Sequence, residues 1–313
     1  MSKISIIIRT YNEENFIGNL LTSISKQRFK DYEIIIVDSG STDNTLKIVR
    51  NFKNIKVIEI SSREFSFGRS LNIGIRKAFG EYIVFISAHC YPVNNLWLEK
   101  IVEPFKNKNV AMVYGKQRGN IDSKFSEIMI FNVWFPDKSD ENQRSPFSNN
   151  ANAAIRKNIW KKIPYDENLT GLEDIDWAKK AQSKGYKIVY SKDAEIVHIH
   201  CESWSRIFNR YKREAIAMKD IFPEIKFSFI DFIKLSMLNI FNDLKIANQN
   251  KLFLRKFKEV IYFRLSQFYG TYRGYKYGNG ITEDLRKRFY YPENNIDKIE
   301  KYKINVNKEV MKI

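Results

Sequence analysis

The sequence predicts an α/β fold: a doubly wound, mostly parallel sheet followed by a helical C-terminal extension. Two patterns carry that expectation. Through the first half, short β-branched runs alternate with amphipathic stretches: KISIIIRT then FIGNLLTSISKQ, YEIIIVDSG then TLKIVRNF, IKVIEIS then SLNIGIRKAFG, EYIVFIS then LWLEKIVEPF. Near-continuous apolar strands followed by helices suit a parallel sheet covered on both faces, and right-handed crossovers make such a sheet doubly wound. From about Ser203 the apolar spacing turns helical, in RIFNRYKREAIAMKDIF, FSFIDFIKLSMLNIFNDL and FLRKFKEVIYFRLSQFYGTYRGYKYG.

Between these regions lies VAMVYGKQRG, a fifth strand, and then a polar loop, DKSDENQRSPFSNNANA. A helix is expected near EDIDWAKKAQSKG, with strands near YKIVYS and AEIVHIH. The organisation expected is a domain over residues 1–215 and a basic, aromatic-rich helical region over 216–313. No internal repeat or low-complexity tract interrupts it.

With 313 residues, 43% of them hydrophobic, the chain can bury a substantial core. Its formal charge of +17 and pI near 9.6 point to anionic partners such as phosphates, nucleotides or an acidic membrane surface. Nucleic acid is not expected: no reading motif is present, the basic residues are dispersed, and acidic Glu13 and Asp38 stand at the early strand ends. Cys90 and Cys201 form neither a CxxC pair nor a disulfide framework, and both are expected as small buried residues. No signal-peptide pattern and no run of about 18 apolar residues is found, so the expected setting is the cytoplasm or the inner face of the membrane.

Ligands of open α/β sheets sit beyond the carboxyl ends of the strands. Those ends read Arg9-Thr10-Tyr11-Asn12, Asp38-Ser39-Gly40 and Ser87-Ala88-His89-Cys90. The last is notable because the only other histidines, His198 and His200, also follow a strand.

In order and spacing, RTYNEE, VDSGSTDNT, FGRSLNIGIRKAFGEYIVFIS, GLEDIDWAKKAQSKGYKIVY and HIH resemble the family 2 glycosyltransferases over residues 3–215. The FxxGxxxNxG stretch and LWLEKIVEPF look most like the bacterial rhamnosyltransferase-like members that build capsule, lipopolysaccharide and related surface glycans. The resemblance implies a GT-A fold and an inverting transfer of sugar from a nucleotide-diphosphate donor, a dTDP- or UDP-sugar, to a hydroxyl of a glycan or lipid-linked saccharide acceptor.

It also implies roles for residues. Thr10, Tyr11 and Asp38 would hold the nucleotide base, by ring stacking and by accepting its imide N–H, with Glu13, Arg69 and Ser87 as further nucleotide contacts. The alternative is that Asn12 caps the next helix and Glu13 and Glu14 favour its positive end. For Arg69 and Asn72 the alternative is packing, with Gly68 and Gly74 allowing close approach of helix and sheet. Where the family carries Asp-x-Asp, this chain has Ser87-Ala88-His89, so a divalent cation (Mn or Mg) is an open question. Either His89 with His198 or His200 holds the cation, or His89 itself meets the diphosphate, helped by Arg69, Lys116, Arg118 or Arg206. A third reading leaves all three histidines structural. Imidazole suits manganese better than magnesium.

The resemblance also implies a general base at Asp174, after Glu173; the alternative is that both merely favour a helix N-terminus. Asp176 would point away from it, and Trp177 would line the acceptor pocket or, the preferred reading, fill the core. The basic helices of the tail suggest an anionic membrane surface, a packed bundle or a homodimer contact. A family member that binds nucleotide without chemistry, acting as a scaffold, is the competing function, and a positioned Asp174 argues against it.

Overall fold

A computed structural model of the chain describes residues 3–200, 202–278 and 283–291. Cys201 and much of the expected tail beyond 278 lie outside the described residues. The elements run β1 Ile4–Thr10, α1 Ile17–Ser25, β2 Tyr32–Asp38, α2 Thr45–Val49, β3 Ile55–Glu59, α3 Phe67–Lys77, β4 Tyr82–Ile86, β5 Cys90–Pro92 and α4 Trp97–Val102. They continue with β6 Val110–Arg118, α5 Phe125–Trp134, β7 Asn152–Arg156, α6 Lys157–Trp160, α7 Glu173–Ser183, β8 Lys187–His198, α8 Trp204–Ile221, α9 Phe229–Gln249, α10 Phe253–Tyr275 and α11 Glu283–Tyr290.

One eight-stranded sheet has the order β3-β2-β1-β4-β7-β6-β8-β5. The half built from βα units, β3-β2-β1-β4, is parallel throughout. Beyond it β7 runs antiparallel to both β4 and β6, β8 is parallel to β6, and β5 is antiparallel to β8. The two strands expected near YKIVYS and AEIVHIH are one continuous strand, β8. Its pairing with β6 shifts register between Gly115 and Gln117, so a single strand absorbs the irregularity that the polar SKD interrupts in the sequence.

Strand period explains why four of the seven residues of β1 are isoleucine. Ile4, Ile6 and Ile8 point to a layer with Leu20, Leu21 and Ile24 of α1 and Trp97 and Ile101 of α4. Ile7 points to the opposite layer, with Ile35, Val37, Leu71 and Ile75 of α3, and Trp177 of α7. Both faces are therefore dry. Trp177 is wholly buried, as expected of a core residue, and its indole N–H donates to the Ile163 carbonyl at 2.6 Å.

The chain separates into two compact units, residues 1–119 with 131–199, and residues 120–130 with those from 200 onward. The division thus falls at 199/200 and not at 215. The reason is the apolar face of α8: Ile207 and Tyr211 join Ile130 and Phe263 in a core of the second unit. Gly270 and Gly274 let α10 lie against α8, since a Cβ at either would come within 2.5 Å of the Phe208 or Lys212 carbonyl oxygen. In the same unit Arg264 forks onto the buried Asp243 at 2.8 and 2.9 Å, tying α10 to α9.

In the first unit the glycines of α3 do what their spacing suggests. A Cβ at Gly74 would meet Ile7 Cγ2 at 2.9 Å, and one at Gly68 would meet the Asp166 carbonyl oxygen at 2.1 Å. The neighbour of Gly68 is backbone and cannot swing aside. Gly68→Ala should therefore lower stability by about 1–3 kcal/mol, read as a fall in denaturation midpoint, whereas an unchanged midpoint would show that the α3 contact is loose.

Candidate active site

The carboxyl ends of β1 and β2 carry two loops, 10–14 and 38–45, laced together residue by residue. Thr10 Oγ1 donates to Asp38 Oδ2 at 2.7 Å, the Asn12 N–H to Ser41 Oγ at 2.9 Å, and the Glu13 N–H to Thr45 Oγ1 at 2.7 Å. Asn12 Oδ1 accepts from the Thr42 N–H, and Glu14 accepts from the backbone and side chain of Asn44. Asn12 lies at φ 54°, a left-handed conformation that asparagine tolerates. It thus ties the loops together, and α1 begins at Ile17 without a side-chain cap.

Asp38 differs from expectation. It is 0% exposed, and its oxygens accept from Thr10 Oγ1, Ser41 Oγ and the N–H groups of Gly40 and Ser41. Four donors fill the lone-pair sites of a carboxylate, so Asp38 fastens the loop and has no acceptor left over for a base. Tyr11, half-buried on the same loop, has its phenol raised above the ordinary value by burial and by the nearby charges of Asp43 and Asp38.

At the end of β4 the chain turns through Ser87 and Ala88, with the Ser87 N–H donating to the Ala151 carbonyl at 3.2 Å. His89 follows. Its Nδ1 lies 2.9 Å from Glu13 Oε1, and its ring stacks on that of His198, with centroids 5.1 Å apart. His198, buried at the end of β8, places its own Nδ1 2.8 Å from Gln117 Oε1. An oxygen acceptor opposite each Nδ1 puts the proton there and the lone pair on Nε2, the arrangement by which histidines are oriented toward a cation. A ring nitrogen of each lies within 4.8 Å of the other. Glu13 therefore serves His89, and burial followed by the charge of Glu13 raises the neighbouring Cys90 thiol well up, which fits an inert small residue.

His200 belongs to the second unit. There its Nδ1 meets Glu127 Oε1 at 2.7 Å, and Arg210 bridges Glu127 and Glu202 at 3.0 and 2.6 Å. Burial opposes ionisation of Glu202, but the charges of Arg210 and His200 win and hold it at about 2. With Arg210 bridging both carboxylates and His200 beside Glu127, this cluster is an internal ion network. Arg206 also lies in this unit.

Other expected diphosphate helpers are engaged elsewhere. Arg69 faces Glu64 and Glu167 at 3.4 and 3.8 Å, Arg118 pairs with Glu195 at 3.1 Å, and Lys116 pairs with Asp137 and Glu195. Asn72 is a buried staple: its amide donates to the Tyr165 carbonyl and Glu167 and accepts from the Trp160 indole and the Tyr165 N–H. All four of its hydrogen-bonding sites are used.

The acidic pair is where the first unit concentrates charge. Leu172 takes a left-handed conformation, φ 56°, which turns the chain sharply into α7 and carries Glu173 and Asp174 inward. Asp174 Oδ2 accepts from the Asn150 N–H at 2.9 Å, and Oδ1 from the Ile175 N–H at 2.8 Å. Glu173 Oε1 accepts from Arg9 Nη1 at 3.2 Å and from the Asn150 amide at 3.3 Å. Burial, and next the charge of Glu173, push Asp174 up to about 7, while the two backbone donors and Arg9 pull against that rise. Asp176 is spent on Lys180 at 2.6 Å.

These contacts close a ring. Arg9 precedes Thr10 and holds Glu173; Asn150 holds Glu173 and Asp174, and its neighbour Ala151 holds Ser87; His89 returns through Glu13 to the loop of Thr10. Asp174 and His89 are thus fixed to the same strand ends. Arg9, Gln117, Asn150 and Tyr165, which donates to Asn150 Oδ1 at 3.3 Å, were not singled out by sequence. Arg9 did stand at a strand end, and Asn149-Asn150 stood out in its polar loop.

Comparison with known proteins now decides the family. The family model described as glycosyl transferase family 2 matches residues 5–163, half of the chain. The chain belongs to glycosyl transferase family 2. It is an inverting glycosyltransferase. It is similar to the O-antigen chain rhamnosyltransferase RfbN of Salmonella typhimurium, 27% identical over 220 residues, covering 67% of this chain and 70% of that protein. It is also similar to the poly(ribitol-phosphate) β-N-acetylglucosaminyltransferase TarS of Staphylococcus aureus, 26% identical over 261 residues, covering 80% of this chain and 43% of the other. Among solved structures it resembles the mannosyltransferase PcManGT of Pyrobaculum calidifontis in complex with GDP-Man and Mn2+, with TM-score 0.62, 18% identity, and coverage of 87% and 86%. The structure of TarS residues 1–349 with UDP-GlcNAc matches with TM-score 0.54 and 20% identity over 87% of this chain and 89% of that one. At such identity these likenesses show the GT-A fold of the family 2 chain.

The charges around Asp174 set its titration, so they set the acidic limb of the pH profile of any transfer it assists. Arg9→Gln should move that limb above pH 7 and Glu173→Gln below it. Measured rates against pH in which both variants keep the wild-type midpoint would remove Asp174 from the proton transfer.

Proposed function

We propose that this glycosyltransferase transfers a sugar from a dTDP- or UDP-sugar to a hydroxyl of a glycan or lipid-linked saccharide during synthesis of a bacterial surface polysaccharide. The single observation that carries the reading is the buried Asp174, held near neutrality on the same strand ends as His89. The likeness to RfbN, an O-antigen chain rhamnosyltransferase, and to TarS, a poly(ribitol-phosphate) β-N-acetylglucosaminyltransferase, supports the polysaccharide setting.

In the proposed reaction the acceptor hydroxyl gives its proton to Asp174 as its oxygen attacks the anomeric carbon. The bond from that carbon to the diphosphate breaks on the opposite side, and the nucleoside diphosphate departs with the electron pair. One in-line displacement inverts the centre. The leaving group is a stabilised anion, so no paired acid of the glycosidase kind is needed. A carboxylate near 7 is half ionised at neutral pH, with enough basicity to accept a proton. Tyr11 stacks on the base, on a loop that Thr10 and Asp38 hold rigid; Ser87 sets the turn into His89, and Glu13 orients its ring.

The donor set of His89 and His198 fits a divalent cation that accepts imidazole, manganese before magnesium. Bound there, it would supply positive charge to the diphosphate. An inactive scaffold, the competing reading, would have no use for a carboxylate raised to neutrality by burial.

Asp174→Asn should lower kcat by about 10²–10⁴-fold with the fold retained. The folded wild type binds the Asp174 proton more tightly than the unfolded chain, so this group withdraws stability as pH rises from about 4 to about 7. The melting temperature of the variant relative to wild type should therefore increase across that window. Transfer at wild-type rate by Asp174→Asn would sink the reading. Chelation should lower activity, with Mn2+ restoring it better than Mg2+; His89→Ala should lose activity whether or not Mn2+ is added. Full activity in chelator would dismiss the cation, and full activity of His89→Ala would dismiss the imidazole as well.

A further inference from the structure

The second unit carries an apolar face that none of its own described cores covers. On α9 the buried side is formed by Ser236, Asp243 and Ala247, with Ile240 and Leu244 packed against Phe125, Met129 and Val260. The opposite side presents Phe229, Ile230, Ile233, Met237, Leu238 and Phe241. Three residues mark its centre at helical spacing: Ile230 is 75% exposed, Met237 64% and Phe241 67%. Beside it α10 exposes Leu254, Phe257, Tyr262 and Leu265. Ring contacts join the helices, Phe232 to Tyr269 at 5.7 Å and Phe229 to Tyr272 at 5.7 Å.

The charge around this face is mainly positive, with Asp231 at its N-terminal end. Lys234 and Lys245 flank it on α9, and Arg255 and Lys258 stand out on α10. Among the described residues, no exposed side chain of either helix is acidic. Asp231 closes the capping box with Ser228, Asp243 is buried against Arg264, and Glu259 binds Lys256 and the Phe125 N–H. Residues 201–313 hold 23 basic and 13 acidic residues.

We propose that the exposed face of α9, with the adjoining edge of α10, inserts into the headgroup region of an anionic phospholipid bilayer. An apolar stripe rimmed by lysine and arginine is the design of a helix lying in the interface, and the acidic headgroups supply the complementary charge. No helix among the described residues is long and apolar enough to cross a membrane, so the helix lies in the surface plane. A second copy of the chain fits the face less well, because it would bring the same positive charge against itself. The inference stands on this surface and is independent of the transfer chemistry.

The test is sedimentation of the full-length protein with vesicles of equal parts phosphatidylglycerol and phosphatidylcholine, compared with phosphatidylcholine alone, at low and high salt. The wild type should pellet with the anionic vesicles, less with the neutral ones, and less as salt rises. Lys234→Glu with Lys245→Glu should weaken binding by about fivefold or more for each lysine, and Ile230→Glu with Met237→Glu and Phe241→Glu should abolish it. The indole introduced by Phe241→Trp should be quenched by lipids brominated in the acyl chains. Melting curves identify variants that fail to fold; should the triple variant fail, the lysine pair and Phe241→Trp carry the test. The proposal is overturned if the wild type ignores anionic vesicles, if binding survives these substitutions, or if the introduced indole stays unquenched while the protein is bound. It is also overturned if the wild type is a dimer that the triple substitution separates into monomers.

Discussion

Two carboxylates buried side by side are the constraint on which the first unit turns. Glu173 and Asp174 enter from the start of α7 with little access to water, and each would be unfavourable there alone. The protein divides the difficulty. Glu173 keeps a cation, Arg9, while Asp174 has two backbone N–H donors, and burial and then the charge of Glu173 outweigh them and raise it to about 7. Holding those partners requires Arg9 at the end of β1, Asn150 before β7, and the left-handed turn at Leu172. The mixed half of the sheet exists in this sense to bring β7 alongside β4, because a parallel continuation would not bring the start of a strand to the ligand-binding edge.

The other side of the site is built by a different economy of charge. The loops after β1 and β2 consume nearly every polar side chain they carry in bonds to each other. On the same side, Glu13 aims the ring of His89, at the end of β4. The substitution of Ser87-Ala88-His89 for an acidic motif then has a consistent environment: a carboxylate beside one imidazole, an amide oxygen beside the other, and the two rings stacked.

Much of this was legible in the sequence, for physical reasons. Alternating isoleucines announce strands buried on both faces, and strand ends announce the site, because period and topology are local properties of the chain. His89 stands out in that way, at the end of β4, whereas Asp174, at the start of α7, stands out through the family resemblance. The bonds of Asp38 to Thr10, Gly40 and Ser41 could not be read from sequence, since they depend on two loops meeting in space. For Asn72 sequence left ligand contact and packing both open, and its four hydrogen bonds reach Trp160, Tyr165 and Glu167, far along the chain. Arg9 and Asn150 gain meaning only when β1, β7 and α7 converge. The boundary was misplaced because α8 looks amphipathic whichever neighbour it packs on, and only the close approach at Gly270 and Gly274 assigns it to the helical unit.

The most direct test of the central claim is a structure of the protein with an intact nucleotide-diphosphate sugar, from a dTDP- and UDP-sugar series. The account predicts the diphosphate against His89 and the anomeric carbon facing the Asp174 carboxylate on the side away from the phosphate. A donor bound in another cleft, or seated so that Asp174 and the diphosphate lie on the same side of the sugar, would contradict it.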